Sequence, residues 1–151
     1  MKEFNLRFVR GRWQDGIIDL LTEGALESIP TTAGTYVLGA TDPIEFIYPW
    51  GRSPVFYIGQ AHNIRARLTV HRSHIIDAEK DHDELYWWPR YQYGAAFGTT
   101  AAWYSVRGRQ SPSTLEAALI EDFYEMYGAI PVANGSWPSG LKKPTRGKRD
   151  D

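Results

Sequence analysis

The 151 residues include no cysteine, which excludes disulfides, thiolate metal centres and a cysteine nucleophile. Long apolar runs are missing as well: none approaches the roughly 20 residues that a membrane-spanning helix needs. The opening stretch MKEFNLRFVRGRW has no apolar core followed by a small-residue cleavage site, so no signal peptide is expected. A cytoplasmic protein without a membrane partner is the default expectation. Net charge is also nearly absent, at −1.

That near-neutral total hides a segregation. No Asp or Glu falls between Phe46 and Ile76, where Arg52, Arg65, Arg67 and Arg72 lie. None falls between Tyr86 and Leu115, which holds Arg90, Arg107 and Arg109. After Glu125 the next acid is Asp150, with Lys142, Lys143, Arg146, Lys148 and Arg149 between. Most of the acids sit in blocks at Asp15 to Glu27, Asp77 to Glu84 and Glu116 to Glu125. Such a chain can fold with one basic face, although charge blocks also arise as plain solvated surface.

Length and an ordinary balance of 42% hydrophobic and 23% charged residues indicate one globular domain over residues 1–140, with a basic flexible tail at 141–151. Ile17, Ile18, Leu21 and Leu26 suggest a short helix in residues 14–28, forming an N-terminal helical extension. Gly34 to Leu38 and Val55 to Ile58 read as strands, joined by a connection with some extended structure at Phe46 to Tyr48. Asn63 caps a helix running to about His74. Asp83 to Trp88 reads as a helix ended before Pro89. Ala101 to Val106 is a third strand, and Ser111-Pro112 opens a long helix that Gly128 ends. The expected class is α+β, with a small, mainly antiparallel three-stranded sheet flanked by helices.

The last helix carries a chemical signal. At about 100° per residue, Leu119, Ile120, Phe123 and Tyr127 fall within about 60° of Glu116 on the helical wheel. A carboxylate in an apolar stripe needs a cation, a metal ion or dense donors, because burying it unpaired costs several kcal/mol. The competing reading is a capping box, Ser113-Thr114-Leu115-Glu116, which would make Glu116 structural. In the earlier helix Arg67 and His71, four apart, sit side by side at the edge of the buried face. Arg suits phosphate through its planar fork of donors, and His can pass protons near neutral pH. Each is also compatible with an ordinary amphipathic helix. His71 and His74 have no matching third and fourth ligand spacing, so a zinc site is not expected.

Tyr36 and Tyr57 stand in the two strands, in Gly34-Thr35-Tyr36 and Tyr57-Ile58-Gly59. Singly, each is a packing residue. In order with the Arg–His helix, the Glu helix and a late Asn134, they resemble the GIY-YIG nuclease superfamily. The resemblance runs over about residues 29–135. Tyr57 through Leu68 is similar to the family's YIG, Asn-Leu and Arg-Leu stretch, and Glu116 with Ile120 matches its Glu and Ile spacing. The segment Ile29-Pro30 to Tyr36 looks like that of excision-repair members, and the Arg67–His71 pairing like that of the restriction-enzyme branch. GTY stands for GIY, the loop between the tyrosines is longer than in the smallest members, and His74 to Thr99 is long and aromatic.

The resemblance implies a phosphodiesterase with Tyr36, Tyr57, Arg67, His71, Glu116 and Asn134 as catalytic residues. Glu116 would hold Mg²⁺ or Mn²⁺, Arg67 would clamp the phosphate, and Tyr36 would orient or deprotonate water. Tyr57 and Asn134 would hydrogen-bond within the cluster, although Asn134-Gly135 also reads as a turn. Phenolate at neutral pH costs roughly 4 kcal/mol, so His71 would share the Tyr36 proton and activity would rise with pH through the neutral range. DNA is the expected substrate, with RNA cleavage or a catalytically silent nucleic-acid-binding module as alternatives. Arg52, Arg65, Arg72, Lys142 and Lys143 are candidate nucleic-acid contacts. Specificity would come from residues 41–54 and 74–99, a homodimer or a partner. Tyr86-Trp87-Trp88 could stack on bases, form an interface or pack in the core.

Overall fold

The β-formers of the central segments assemble into a four-stranded antiparallel sheet in a computed structural model that describes residues 6–81, 88–138 and 141. In chain order the strands are β1 (Gly16–Asp19), β2 (Gly34–Gly39), β3 (Phe46–Tyr48), β4 (Gly51–Ser53), β5 (Val55–Ala61) and β6 (Thr100–Ser105). The helices are α1 (Ile64–Lys80), α2 (Pro89–Phe97) and α3 (Pro112–Tyr127), with a 3-10 turn at Ala25–Ser28. The main sheet runs β1-β6-β2-β5, and β3 pairs with β4 in a separate hairpin. The α+β class therefore holds, but the sheet has four strands where three were expected.

The fourth strand comes from the segment read as an N-terminal helix. Ile17 and Ile18 fit either spacing, and pairing decides: Ile17 lies opposite Ala102 and Ile18 opposite Ala101. Gly16 permits this because the Trp103 ring occupies the space a side chain would fill. Only the short 3-10 turn remains of the expected helix. A second difference concerns Pro89. It begins α2 as its first residue, a position where the missing amide proton costs nothing. The helix expected over Asp83 to Trp88 lies almost wholly outside the described residues, as do the basic tail, Tyr86 and Trp87.

Alternation along β2 builds two cores. Tyr36 and Leu38 face Ile64, Leu68 and Ile75 of α1, while Val37 faces Leu115, Leu119 and Phe123 of α3. The sheet is thus covered by α1 and α2 on one side and by α3 on the other. Helix α1 runs two turns past the expected His74 because Ile75 and Ala78 continue its buried ridge. Asn63 caps it as expected, its side chain accepting from the Ala66 amide at 3.0 Å. The preceding loop satisfies two further free amides: Ile64 donates to the Thr32 carbonyl and Arg65 to that of Pro30, each at 3.0 Å.

At the start of α3 the cap is Ser111, whose hydroxyl accepts from the Thr114 amide at 3.2 Å. The capping box centred on Ser113 does not form, and Glu116 lies inside the helix. Ser111→Ala should cost about 1 kcal/mol of folding free energy in urea titration. A loss under about 0.3 kcal/mol would show that Pro112 and the tertiary packing set the start unaided. At the other end Gly128 takes φ 76°, the left-handed conformation that closes a helix.

Candidate active site

Strand β5 lies at the sheet's edge, and a cleft of about 550 Å³ forms around that edge. Tyr57 comes from β5 itself, Arg90 from α2 on one side of the sheet, and Glu116 and Ile120 from α3 on the other. The segment Val132 to Pro138 completes the wall, with Trp88 and Trp137 among the lining residues.

The closing segment is held by strand mimicry. The Ala133 amide donates to the Phe56 carbonyl at 2.8 Å. The Asn134 side chain accepts from the Ile58 amide at 3.0 Å and donates to the Ile58 carbonyl at 2.9 Å. Both halves of that amide are spent on the residue next to Tyr57, so Asn134 pins the strand that presents the tyrosine. The turn lies one step earlier than Asn134-Gly135: it is centred on Val132-Ala133 and closed by the Asn134 amide donating to the Pro131 carbonyl at 2.9 Å.

Behind Tyr57 lies a buried aromatic group. The Tyr36 hydroxyl and His71 Nε2 are 2.7 Å apart, and the Tyr36 and His71 rings meet edge to face. Tyr57 packs beside both, with ring centroids 6.2 Å from Tyr36 and 5.7 Å from His71. Gly59 makes this approach possible. It faces Tyr36 across the ladder, and a β-carbon there would strike the Tyr36 hydroxyl and come within 2.8 Å of Tyr57 Cε1. Gly59→Ala should therefore cost about 1–3 kcal/mol and break the Tyr36–His71 contact. Urea unfolding and the His71 ring ¹⁵N shifts would read both; an unchanged His71 signal would rule this role out.

Burial sets the electrostatics. Desolvation holds the Tyr36 hydroxyl well above the ordinary tyrosine range, with Tyr57 adding to the rise and Arg67 and Arg90 opposing it. Tyr57 is raised mainly by burial, with Arg90 pulling down and Glu116 pushing up. His71 is pushed down to about 3, first by burial and then by Arg90, Arg67 and His74. It is 2% exposed and lies on the buried ridge of α1, not at its edge. Glu116 is raised by burial alone. Its half-buried carboxylate has no ion-pair partner among the described residues. In α3 it lies on the apolar stripe as expected, between the buried Phe123 and Tyr127 on the helical wheel, with its own side chain half-buried.

The sequence-derived residues divide accordingly. Tyr57, Glu116 and Asn134 line the cleft, and Tyr36 and His71 stand directly behind Tyr57. Arg67 is exposed on α1 and is not a lining residue. Arg65 bonds the carbonyls of Ile29 at 2.6 Å and Glu27 at 3.1 Å, and Arg72 bonds that of Leu20 at 3.1 Å. Those two side chains tie α1 to the N-terminal segment. Arg52 is exposed on β4. Lys142 and Lys143 lie outside the described residues.

Two lining residues had no assigned role: Arg90 and Trp137. Reading Pro89 as a helix start, not a stop, would have placed Arg90 in a first turn flanked by aromatic residues. Comparison with protein-family models, with curated proteins and with solved structures finds no match. Among the described residues no group of three or more His, Asp or Glu side chains could hold a metal ion, and no helix is long and apolar enough to cross a membrane.

Proposed function

We propose that the chain is a divalent-metal-dependent endonuclease that hydrolyses DNA phosphodiester bonds, as its resemblance to GIY-YIG nucleases implies. The observation that carries this reading is Glu116, a desolvated carboxylate without a cationic partner among the described residues, on a cleft shared with Tyr57 and Arg90. That environment fits a hard cation. Mg²⁺ or Mn²⁺ there would find one carboxylate oxygen donor and take its remaining oxygen ligands from water and phosphate. When bound, such an ion neutralises charge on the phosphate.

The chain's own residues supply the rest. In hydrolysis a water oxygen bonds to phosphorus, an ester P–O bond breaks and the departing oxygen gains a proton. Tyr57 lines the cleft from a strand fixed by the Asn134 clamp on Ile58. Tyr36, ordered by His71, supports it from behind. Water is oriented by these hydroxyls more readily than it is deprotonated by them. Tyrosine groups raised above their ordinary range are poor phenolates, and a buried His71 is a poor proton acceptor. Arg90 places positive charge where negative charge develops.

The test is cleavage of supercoiled plasmid and of labelled single-stranded DNA, with Mg²⁺ or with EDTA. Cutting in Mg²⁺ and none in EDTA is expected. Absence of cutting of both substrates, or cutting that EDTA leaves untouched, would overturn the reading.

A further inference from the structure

Arg90 is held in a way that ordinary surface arginines are not. Its guanidinium carbon lies 5.3 Å from the Tyr57 ring centroid, 5.3 Å from that of Trp88 and 4.8 Å from that of Tyr91. Its terminal nitrogen reaches the Tyr91 hydroxyl only at 3.5 Å, and its Nε is buried without a hydrogen-bond partner. No acid pairs with it among the described residues. Stacking on rings orients the plane of a guanidinium and strips water from its faces, but leaves its in-plane donors unsatisfied. A charged fork held in this state is complementary to a planar or tetrahedral oxyanion. The same group lies in the wall of the cleft that holds Glu116 and Trp137. Arg67, by contrast, stands exposed on α1 and outside that wall.

We propose that Arg90 is a phosphate-binding residue: its stacked guanidinium takes a phosphate of a nucleic-acid strand lying in the cleft between Glu116 and the two tryptophans, Trp88 and Trp137. The strand's identity rests on the nuclease reading; the capacity of the fork for phosphate rests on the cage alone. Two rings of the cage, Trp88 and Tyr91, come from α2 and the residue before it, and the third, Tyr57, comes from β5, so this contact joins the long aromatic stretch between α1 and β6 to a tyrosine-bearing strand. Trp88, 62% exposed beside the guanidinium, offers a ring to the base of the same nucleotide.

The experiment titrates thymidine 5′-monophosphate and, separately, thymidine into the full chain in EDTA, following tryptophan fluorescence and backbone amide NMR shifts. Wild-type protein is expected to bind the monophosphate at least about tenfold tighter than the nucleoside. Arg90→Gln should erase that preference, and Arg90→Lys, which keeps charge but not the fork, should restore only part of it. A Glu116→Gln protein with a labelled oligonucleotide gives an independent readout. Adding Arg90→Gln should reduce the salt slope of binding by about 0.7–0.9, the loss of one phosphate contact. A purely structural role for Arg90 would leave that slope unchanged. Equal binding of the two probes by wild type, no binding of either, or an unchanged preference in Arg90→Gln and Arg90→Lys would each overturn the proposal. Because EDTA removes catalysis, failure here with Mg²⁺-dependent cutting intact would strike Arg90 alone. An Arg90-dependent phosphate preference in a chain that cuts nothing would strike the nuclease reading alone.

Discussion

Replacing Glu116 by Gln should reduce Mg²⁺-dependent cleavage at least about a thousandfold while leaving the protein folded and, without metal, more stable at neutral pH. The two effects share a cause. Burial raises the carboxyl's affinity for its proton in the folded state above that in the unfolded chain. Such a group contributes stability that is present below the unfolded value and is lost as pH rises through the folded value. At neutral pH the wild-type protein therefore carries a desolvated charge that glutamine, nearly equal in size, does not. A divalent cation reverses the balance. A ligand that binds only the folded state stabilises it by about 2.7 kcal/mol at a hundred times its dissociation constant. Thermal unfolding with and without Mg²⁺ should thus show a metal-dependent rise for wild type and none for Glu116→Gln. Equal metal-induced shifts in the two proteins would move the ion elsewhere, and wild-type cleavage rates in the variant would remove Glu116 from the chemistry.

The features that made Glu116 visible in the sequence were local ones. Helix α3 announces itself through Ser111-Pro112 at one end and Gly128 at the other, and its periodicity placed the carboxylate against apolar neighbours. The hairpin tyrosines and the Asn63 cap were legible for the same reason: strands, caps and helix starts depend on residues close in sequence. Long-range relations were not legible. Ile17 and Ile18 fit a helix as well as a strand until Ala101 and Ala102 are beside them. Pro89 ends one kind of segment and begins another, and which it does depends on the chain that follows. His71 was expected at the edge of its helix, yet α2 packs across α1 and buries it under Tyr91. That same packing brings Arg90 to the cleft. Arg90 and Trp137, the two site residues without an assigned role, thus owe their places to α2 and to the chain after α3, from which only Asn134 was legible.

The burial of His71 leads to the second large effect. Activity was expected to rise through the neutral range as His71 lost its proton. With its pKa pushed down to about 3, His71 is neutral across that whole range and contributes no such rise. Between about pH 6 and 8 the wild-type rate should carry no ionisation of this residue. Its contribution is instead to hold the Tyr36 hydroxyl at 2.7 Å. His71→Ala should then lose about a hundredfold in rate, whereas His71→Gln, whose amide can still meet the hydroxyl, should recover about tenfold of it. A wild-type rate climbing tenfold per pH unit, with the climb absent in His71→Gln, would restore the proton-acceptor role. Stability supplies an independent check with a definite sign. The folded value lies below the ordinary 6.5 of the unfolded chain, so the unfolded state takes up the proton first. The contribution is present above about 6.5 and is lost as pH falls toward about 3, at about 1.4 kcal/mol per unit. From pH 7 to pH 5 the wild-type protein should lose about 2 kcal/mol more than His71→Gln in urea titrations. Parallel losses in the two proteins would mean that the imidazole is solvated, and the Tyr36–His71 pair would no longer be the buried support behind Tyr57.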